Sequence, residues 1–192
     1  MISHTNLKAV QQKIYVWDAF VRFFHWMLVA NVTVAFLTEN ALIIHVLAGY
    51  AVGALIAARV VWGFIGSRYA RFSAFVYAPS TTIQYIRDLF ILRAGKRRIG
   101  HSPGGVYVIM LLLIFLAGTV VTGILVYADE QLTRSLAGLI TKQTAETVEE
   151  WHGIFAHVFL ALICVHIVGI CLRSFVYREN LVRAMFTGYK RK

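Results

Sequence analysis

Long apolar runs alternate along the chain with short polar stretches. Four of the runs, Ala19–Leu37, Leu42–Ile65, Gly105–Tyr127 and about Gly153–Leu172, approach or exceed the roughly 20 apolar residues needed to cross a bilayer. A segment in lipid must satisfy every backbone group internally, so each run is expected to be a helix. The pattern predicts a four-helix, all-α integral membrane bundle forming a single domain over residues 1–192, with no internal repeat. Two polar connections carry helical spacing of their own. In "PSTTIQYIRDLFILRAGKRR", Ile83, Ile86 and Phe90 share a face, with Leu89 beside it, Ser80 as N-cap and Gly95 as stop. This reads as a short helix lying on the bilayer surface. In "DEQLTRSLAGLITKQTAETVEE", Leu132, Leu136, Leu139 and Ile140 suggest a second surface helix, and the acids that follow read first as a solvated loop and second as a docking surface.

Composition agrees with the pattern: 59% of the 192 residues are hydrophobic, and the mean hydropathy is +0.68. The formal net charge of +10 raises nucleic acid as a partner. Its distribution removes that reading. The segments before span one, between spans two and three, and after span four hold 17 of the 19 basic residues, against Asp18, Asp88 and Glu179. The other connections hold Arg134 and Lys142 against Glu39, Asp129, Glu130, Glu146, Glu149 and Glu150. Lysine and arginine concentrate on the cytoplasmic side of membrane proteins, so both termini are expected there. The start, "MISHTNLKAVQQKIYVWD", has no apolar core with a cleavage site, and no cleaved signal peptide is expected. Cys164 and Cys171 are separated by about 10 Å of helix, too far for a mutual disulfide. There is no C-x-x-C-H motif for covalent haem.

The chemistry lies in histidines where lipid is expected. An ionisable group inside a bilayer is costly and marks a functional site by default. His152 and His166 are fourteen residues apart, about 40° short of four full turns, so they share one face of span four about 21 Å apart. His157 points about 140° away from His152 and is read as a hydrogen-bonded structural residue. His25 lies near the cytoplasmic start of span one and His45 near the outer start of span two. Depth therefore pairs His25 with His166 and His45 with His152, although rise counting separates His25 and His45 by somewhat less than 21 Å. Facing imidazole pairs at two depths in a helical bundle suggest two bis-histidine haems. Gly49, Gly53, Gly153 and Gly169 would give a flat ring room. Arg22, one turn before His25, and Arg59, on the face of His45 at the cytoplasmic end, could meet propionates or snorkel to phosphates. The 14% aromatic content reads as packing and interfacial belt.

Taken together, "VWDAFVRFFHW", "HVLAGYAVGALIAARVVWGFIGSRYARF", "GHSPGGVYVIMLLLIFLAGTVVTGILVY" and "EEWHGIFAHVFLALICVHIVG" resemble the bacterial cytochrome b561 family over about residues 14–176. That family is related to the b-type cytochrome subunits of nickel–iron hydrogenases and respiratory formate dehydrogenases. The resemblance implies two haem b groups with the same histidine pairing, residence in the bacterial cytoplasmic (inner) membrane, and electron exchange with quinone. In the family the segment before span three usually reads Gly-His-Asn-Pro; here Ser102 replaces the asparagine. By the same resemblance, His101, Ser102 and Gly105 are the quinone candidates.

The expected role is electron transfer between the quinone pool and a periplasmic partner, either a c-type cytochrome or a hydrogenase-like enzyme. A stand-alone quinone-linked oxidoreductase, such as a superoxide oxidase, is the first alternative, disfavoured by the acidic outer side. A transporter or metal-binding protein using histidines is the second. Acidic residues within the spans would favour that one, and the span interiors have none.

Overall fold

The computed structural model describes residues 13–75, 77–93, 100, 102–133 and 142–191. In chain order these form strand β1 (Lys13–Tyr15), helices α1 (Ala19–Leu37) and α2 (Leu42–Ile65), a 3-10 turn over Phe72–Phe75, helices α3 (Pro79–Phe90), α4 (Pro103–Thr133), α5 (Lys142–Val176) and α6 (Leu181–Thr187), and strand β2 (Tyr189–Arg191). The described residues are thus all-α apart from one small strand pair. α1, α2, α4 and α5 are long and apolar enough to cross a membrane.

α1 and α2 have the expected limits, whereas α4 and α5 are longer than their apolar runs. Hydropathy marks where a helix meets lipid, and a helix continues into water as long as its backbone bonds and side chains allow. The consequence is a correction on the acidic side. Glu146, Glu149 and Glu150 belong to the first turns of α5, not to a loop. Leu132 is in the last turn of α4, while Leu136, Leu139 and Ile140 lie outside the described residues. α3 also begins slightly earlier than read: Ala78 caps it and Pro79 occupies the first turn, where its missing N–H costs nothing. Ile83, Ile86 and Phe90 are exposed, and Leu89 beside them is buried. Gly95, the expected stop, is outside the described residues.

Close packing runs α1 on α2, α4 on α5, and α2 on α4. The core draws one residue from each long helix, Val32, Val52, Leu116 and Phe159, flanked by Leu28, Ile56, Leu112, Phe115, Val120 and Ile163. This layer fixes the depths of the histidines. Val32 follows His25 by seven residues, Val52 follows His45 by seven, and Phe159 is seven from both His152 and His166. Seven residues rise about 10.5 Å. Each imidazole therefore lies about two turns from the common layer, and the two levels are about 21 Å apart on all three helices. The shortfall obtained by counting from predicted span ends disappears.

The ends of α1 and α2 are tied by Asp18. Its carboxylate accepts from Val21 N–H at 2.8 Å as N-cap and from Trp62 Nε1 at 3.1 Å, and also from the Ser67 hydroxyl. Burial raises the Asp18 pKa, but the bonds from Ser67, Val21 and Trp62 and the nearby charge of Arg59 outweigh it and leave the group below its usual value. At the same end β1 pairs antiparallel with β2, Ile14 opposite Lys190. Gly188, at φ 83, allows the turn from α6 into β2. Its carbonyl accepts from Val16 and Trp17 N–H. Lys190 Nζ reaches back to the Gly100 carbonyl at 3.3 Å. The last described segment is thus strapped across the start of the first helix.

Candidate functional site

The structure brings His45 close to His152 and places His25 near His166. His45 on α2 and His152 on α5 face each other with ring centroids 6.1 Å apart at an interplanar angle of 78°. His25 on α1 and His166 on α5 lie within electrostatic reach of each other toward the strand-bearing end. Neither α1–α5 nor α2–α5 is among the closely packed helix pairs. The helices that bear the facing imidazoles are therefore the ones whose backbones stand apart.

Tautomers can be assigned at the first pair. His45 Nδ1 is 2.9 Å from the Ala35 carbonyl of α1, and His152 Nδ1 is 2.9 Å from the Thr119 carbonyl of α4. A carbonyl oxygen only accepts, so each Nδ1 carries the proton and each Nε2 keeps a free lone pair. Such a second bond orients a metal-ligating imidazole and raises its basicity. The His152 ring also sits 3.3 Å from Thr122 Oγ1. Gly123 makes room for it, since a Cβ there would lie 2.9 Å from His152 Cε1. Sequence reading passed over Ala35, Thr119, Thr122 and Gly123. The small residues spaced at one turn in "GTVVTG" were the available signal.

These residues fit a haem iron. The 6.1 Å between the His45 and His152 ring centres would leave room for both imidazoles to hold one iron. A Cβ at Gly49, Gly153 or Gly169 would meet nothing within 4 Å, so space is open beside both pairs. Gly53 differs, because its Cβ position is 3.1 Å from Val120 and the residue serves close packing of α2 on α4. His157 is exposed, and its Nδ1 donates to the Gly153 carbonyl of its own helix at 2.7 Å. Among the described residues no three histidines, cysteines, aspartates or glutamates cluster as a metal site.

Both candidate arginines are engaged at the strand-bearing end. Arg59, 4% exposed, donates to the Ala70 carbonyl at 3.0 Å and lies 5.2 Å from the centre of the Phe72 ring. Arg22 donates to the Phe186 carbonyl at 2.7 Å. Of the quinone candidates, His101 lies outside the described residues. Ser102 is buried, and its Oγ accepts from Gly105 N–H at 3.2 Å as N-cap of α4, with Pro103 in the first turn. Beside this cap, Tyr85 of α3 packs against Gly104, and its hydroxyl is buried with no hydrogen-bond partner among the described residues. An open cleft of about 380 Å³ lined by Arg68, Tyr69, Ser73, Ala74, Tyr77 and Gly100 lies nearby.

The architecture defines a class: a multi-pass helical membrane protein with paired imidazoles between its helices. Residues 16–188 match the family model described as prokaryotic cytochrome b561, and the chain belongs to that family. It is 24% identical over 225 residues to the "Probable Ni/Fe-hydrogenase B-type cytochrome subunit" of Rhizobium leguminosarum bv. viciae, covering 97% of this chain and 92% of the relative. It is also 24% identical to the protein of the same description from Azotobacter vinelandii, covering 94% and 89%. No solved structure matches the chain. The family makes it a bacterial membrane b-type cytochrome that binds haem b and works in electron transfer.

Proposed function

We propose that this cytochrome binds two haem b groups, between His25 and His166 and between His45 and His152, and passes electrons between the quinone pool and a redox partner outside the cytoplasmic membrane. The observation that carries the reading is the His45–His152 geometry: two rings 6.1 Å apart, each with Nδ1 held by a carbonyl of a neighbouring helix. The common core layer supports a second pair about 21 Å away on the same face of α5. Haem b supplies one-electron transfer at each level. The chain fixes ring orientation, separation and access. Family membership favours this reading over a histidine-based transporter. The basic strand-bearing end is read as cytoplasmic by the distribution of lysine and arginine. The relatives' names favour a hydrogenase-like partner on the opposite side, with a c-type cytochrome as the other candidate.

For quinone we favour the strand-bearing end. The buried Tyr85 hydroxyl and the segment around Gly100–Gly105 lie there, and a phenol can donate to a quinone oxygen. Ser102 is committed to its cap, so its part in quinone binding would be to hold the start of α4. Tyr85→Phe is expected to slow haem reduction by quinol with both haems retained; unchanged kinetics would move the quinone site elsewhere. The central reading is tested by a pyridine haemochrome assay on purified protein. Two haem b per chain, extractable by acid–acetone, are expected, and a value of one or none refutes the dihaem assignment.

A further inference from the structure

Beside His25 the fold buries two donors that meet no acceptor. Arg22 Nε and Trp26 Nε1 are shielded from solvent, and neither has a hydrogen-bond partner among the described residues. Folded proteins seldom leave buried donors unmade, and each such group calls for an explanation. The two residues are four apart on α1, so they stand one above the other on one face. The other nitrogens of Arg22 are taken: one donates to the Phe186 carbonyl at 2.7 Å and the other approaches Tyr15 Oη at 3.5 Å. The Trp26 indole stacks on the Phe186 ring at 4.2 Å and 22°. Trp26 also makes an edge contact with His25 at 5.2 Å. A single residue of α6 therefore holds both side chains, the guanidinium through its carbonyl and the indole through its ring.

Two fixed N–H groups, one of them cationic, suit an anion that only accepts. A carboxylate has that character, and arginine pairs with it through charge-assisted bonds. Asp18, on the preceding turn, does not fill the need, because its oxygens are committed to Val21, Trp62 and Ser67. A carboxylate from outside the chain would fill it, and a haem held at His25 carries two on its edge. We propose that Arg22 and Trp26 form a cradle for a propionate of the haem between His25 and His166, and that Phe186 is the residue that positions both donors. This rests on the dihaem reading above.

The test uses the detergent-purified holoprotein. Trp26→Phe keeps the stacked ring and removes the donor; Arg22→Lys keeps the charge and removes the Nε fork. A propionate without its donors exposes more negative charge to the iron and favours the oxidised state. Each variant is expected to retain both haems and to lower the reduction equilibrium of the component that His25→Ala removes. The expected change is about three- to tenfold, tenfold being about 59 mV for one electron. The propionate bending band of that haem in resonance Raman spectra should shift, and the other haem should not change. Phe186→Leu should move the same two readouts in the same direction, and Phe186→Tyr, which restores the stacked ring, should return them to wild type. If both donor variants keep the wild-type potential and band, the cradle is wrong while the dihaem reading stands. If His25→Ala removes no haem, the dihaem reading fails and the cradle fails with it.

Discussion

The two imidazole pairs are built by different means. At the His45–His152 level, hydrogen bonds do the orienting: each ring is fixed by a carbonyl of an adjacent helix, and Gly123 of α4 lies directly against one of them. At the His25–His166 level no hydrogen bond to either ring is present among the described residues. There the surroundings are aromatic and cationic, with Trp26, Phe186 and Arg22 held by the segment that follows α5. One site is set by local backbone geometry and the other by a long-range strap. The lesson is that similar imidazole pairs can be supported by parts of the chain with quite different sensitivity to mutation.

Removing a ligand should break the comparison most strongly. His45→Ala and His152→Ala are expected to lose the same one of two haem equivalents, and His25→Ala and His166→Ala the other, as read by redox titration of each variant. Loss of one spectral component in both His25→Ala and His152→Ala would mean that the pairs are wrongly drawn. A smaller effect is expected from Gly123→Ala. The added Cβ would lie 2.9 Å from His152 Cε1, closer than real contacts allow, so the ring must turn. The midpoint potential of the His45–His152 component should move and its haem occupancy fall, with the other component unchanged in the same titration.

Asp18 sharpens the contrast at the strand-bearing end. Asp18→Asn keeps a capping oxygen for Val21 but removes the charge that Ser67, Trp62 and Arg59 stabilise. The acid response gives the sign. A carboxyl whose folded pKa lies below its usual value of 3.8 stabilises fully above that value and loses the contribution as pH falls through the folded pKa. Thermal melting in detergent should therefore separate wild type from Asp18→Asn at neutral pH, and the gap should close below about pH 3.8. The smallest effect belongs to His157→Ala. Its ring bonds its own helix and faces outward, so both haem components should remain at wild-type level in the same haemochrome assay.

How far the sequence could be read follows from the range of each signal. Spans one and two and the histidine pairing are local or periodic properties, visible as apolar length and as a fourteen-residue spacing. The extra turns of α4 and α5 were missed because charged residues such as Glu146 and Glu149 say nothing against helix in water. The β1–β2 pairing joins Tyr15 to Tyr189 across nearly the whole chain, and three-residue strands carry no periodicity to detect. α6 was more legible than it seemed: Asn180 caps Arg183 N–H, and Gly188 closes the helix in the left-handed region. The role of the Ala35 carbonyl had no signal at all, since backbone carbonyls are the same in every residue.

The strap has a consequence for biogenesis. A chain is made from its N-terminus, so α1 enters the membrane long before α6 and β2 exist. Every group that holds His45 and His152, from Ala35 to Thr119, is in place once α5 has inserted. Trp26 and Arg22 must wait until Phe186 has left the ribosome, and the β1–β2 pairing until Arg191 has followed. The groups that support the two imidazole pairs therefore become available in a fixed order, with those beside the pair nearest the start of the chain arriving last.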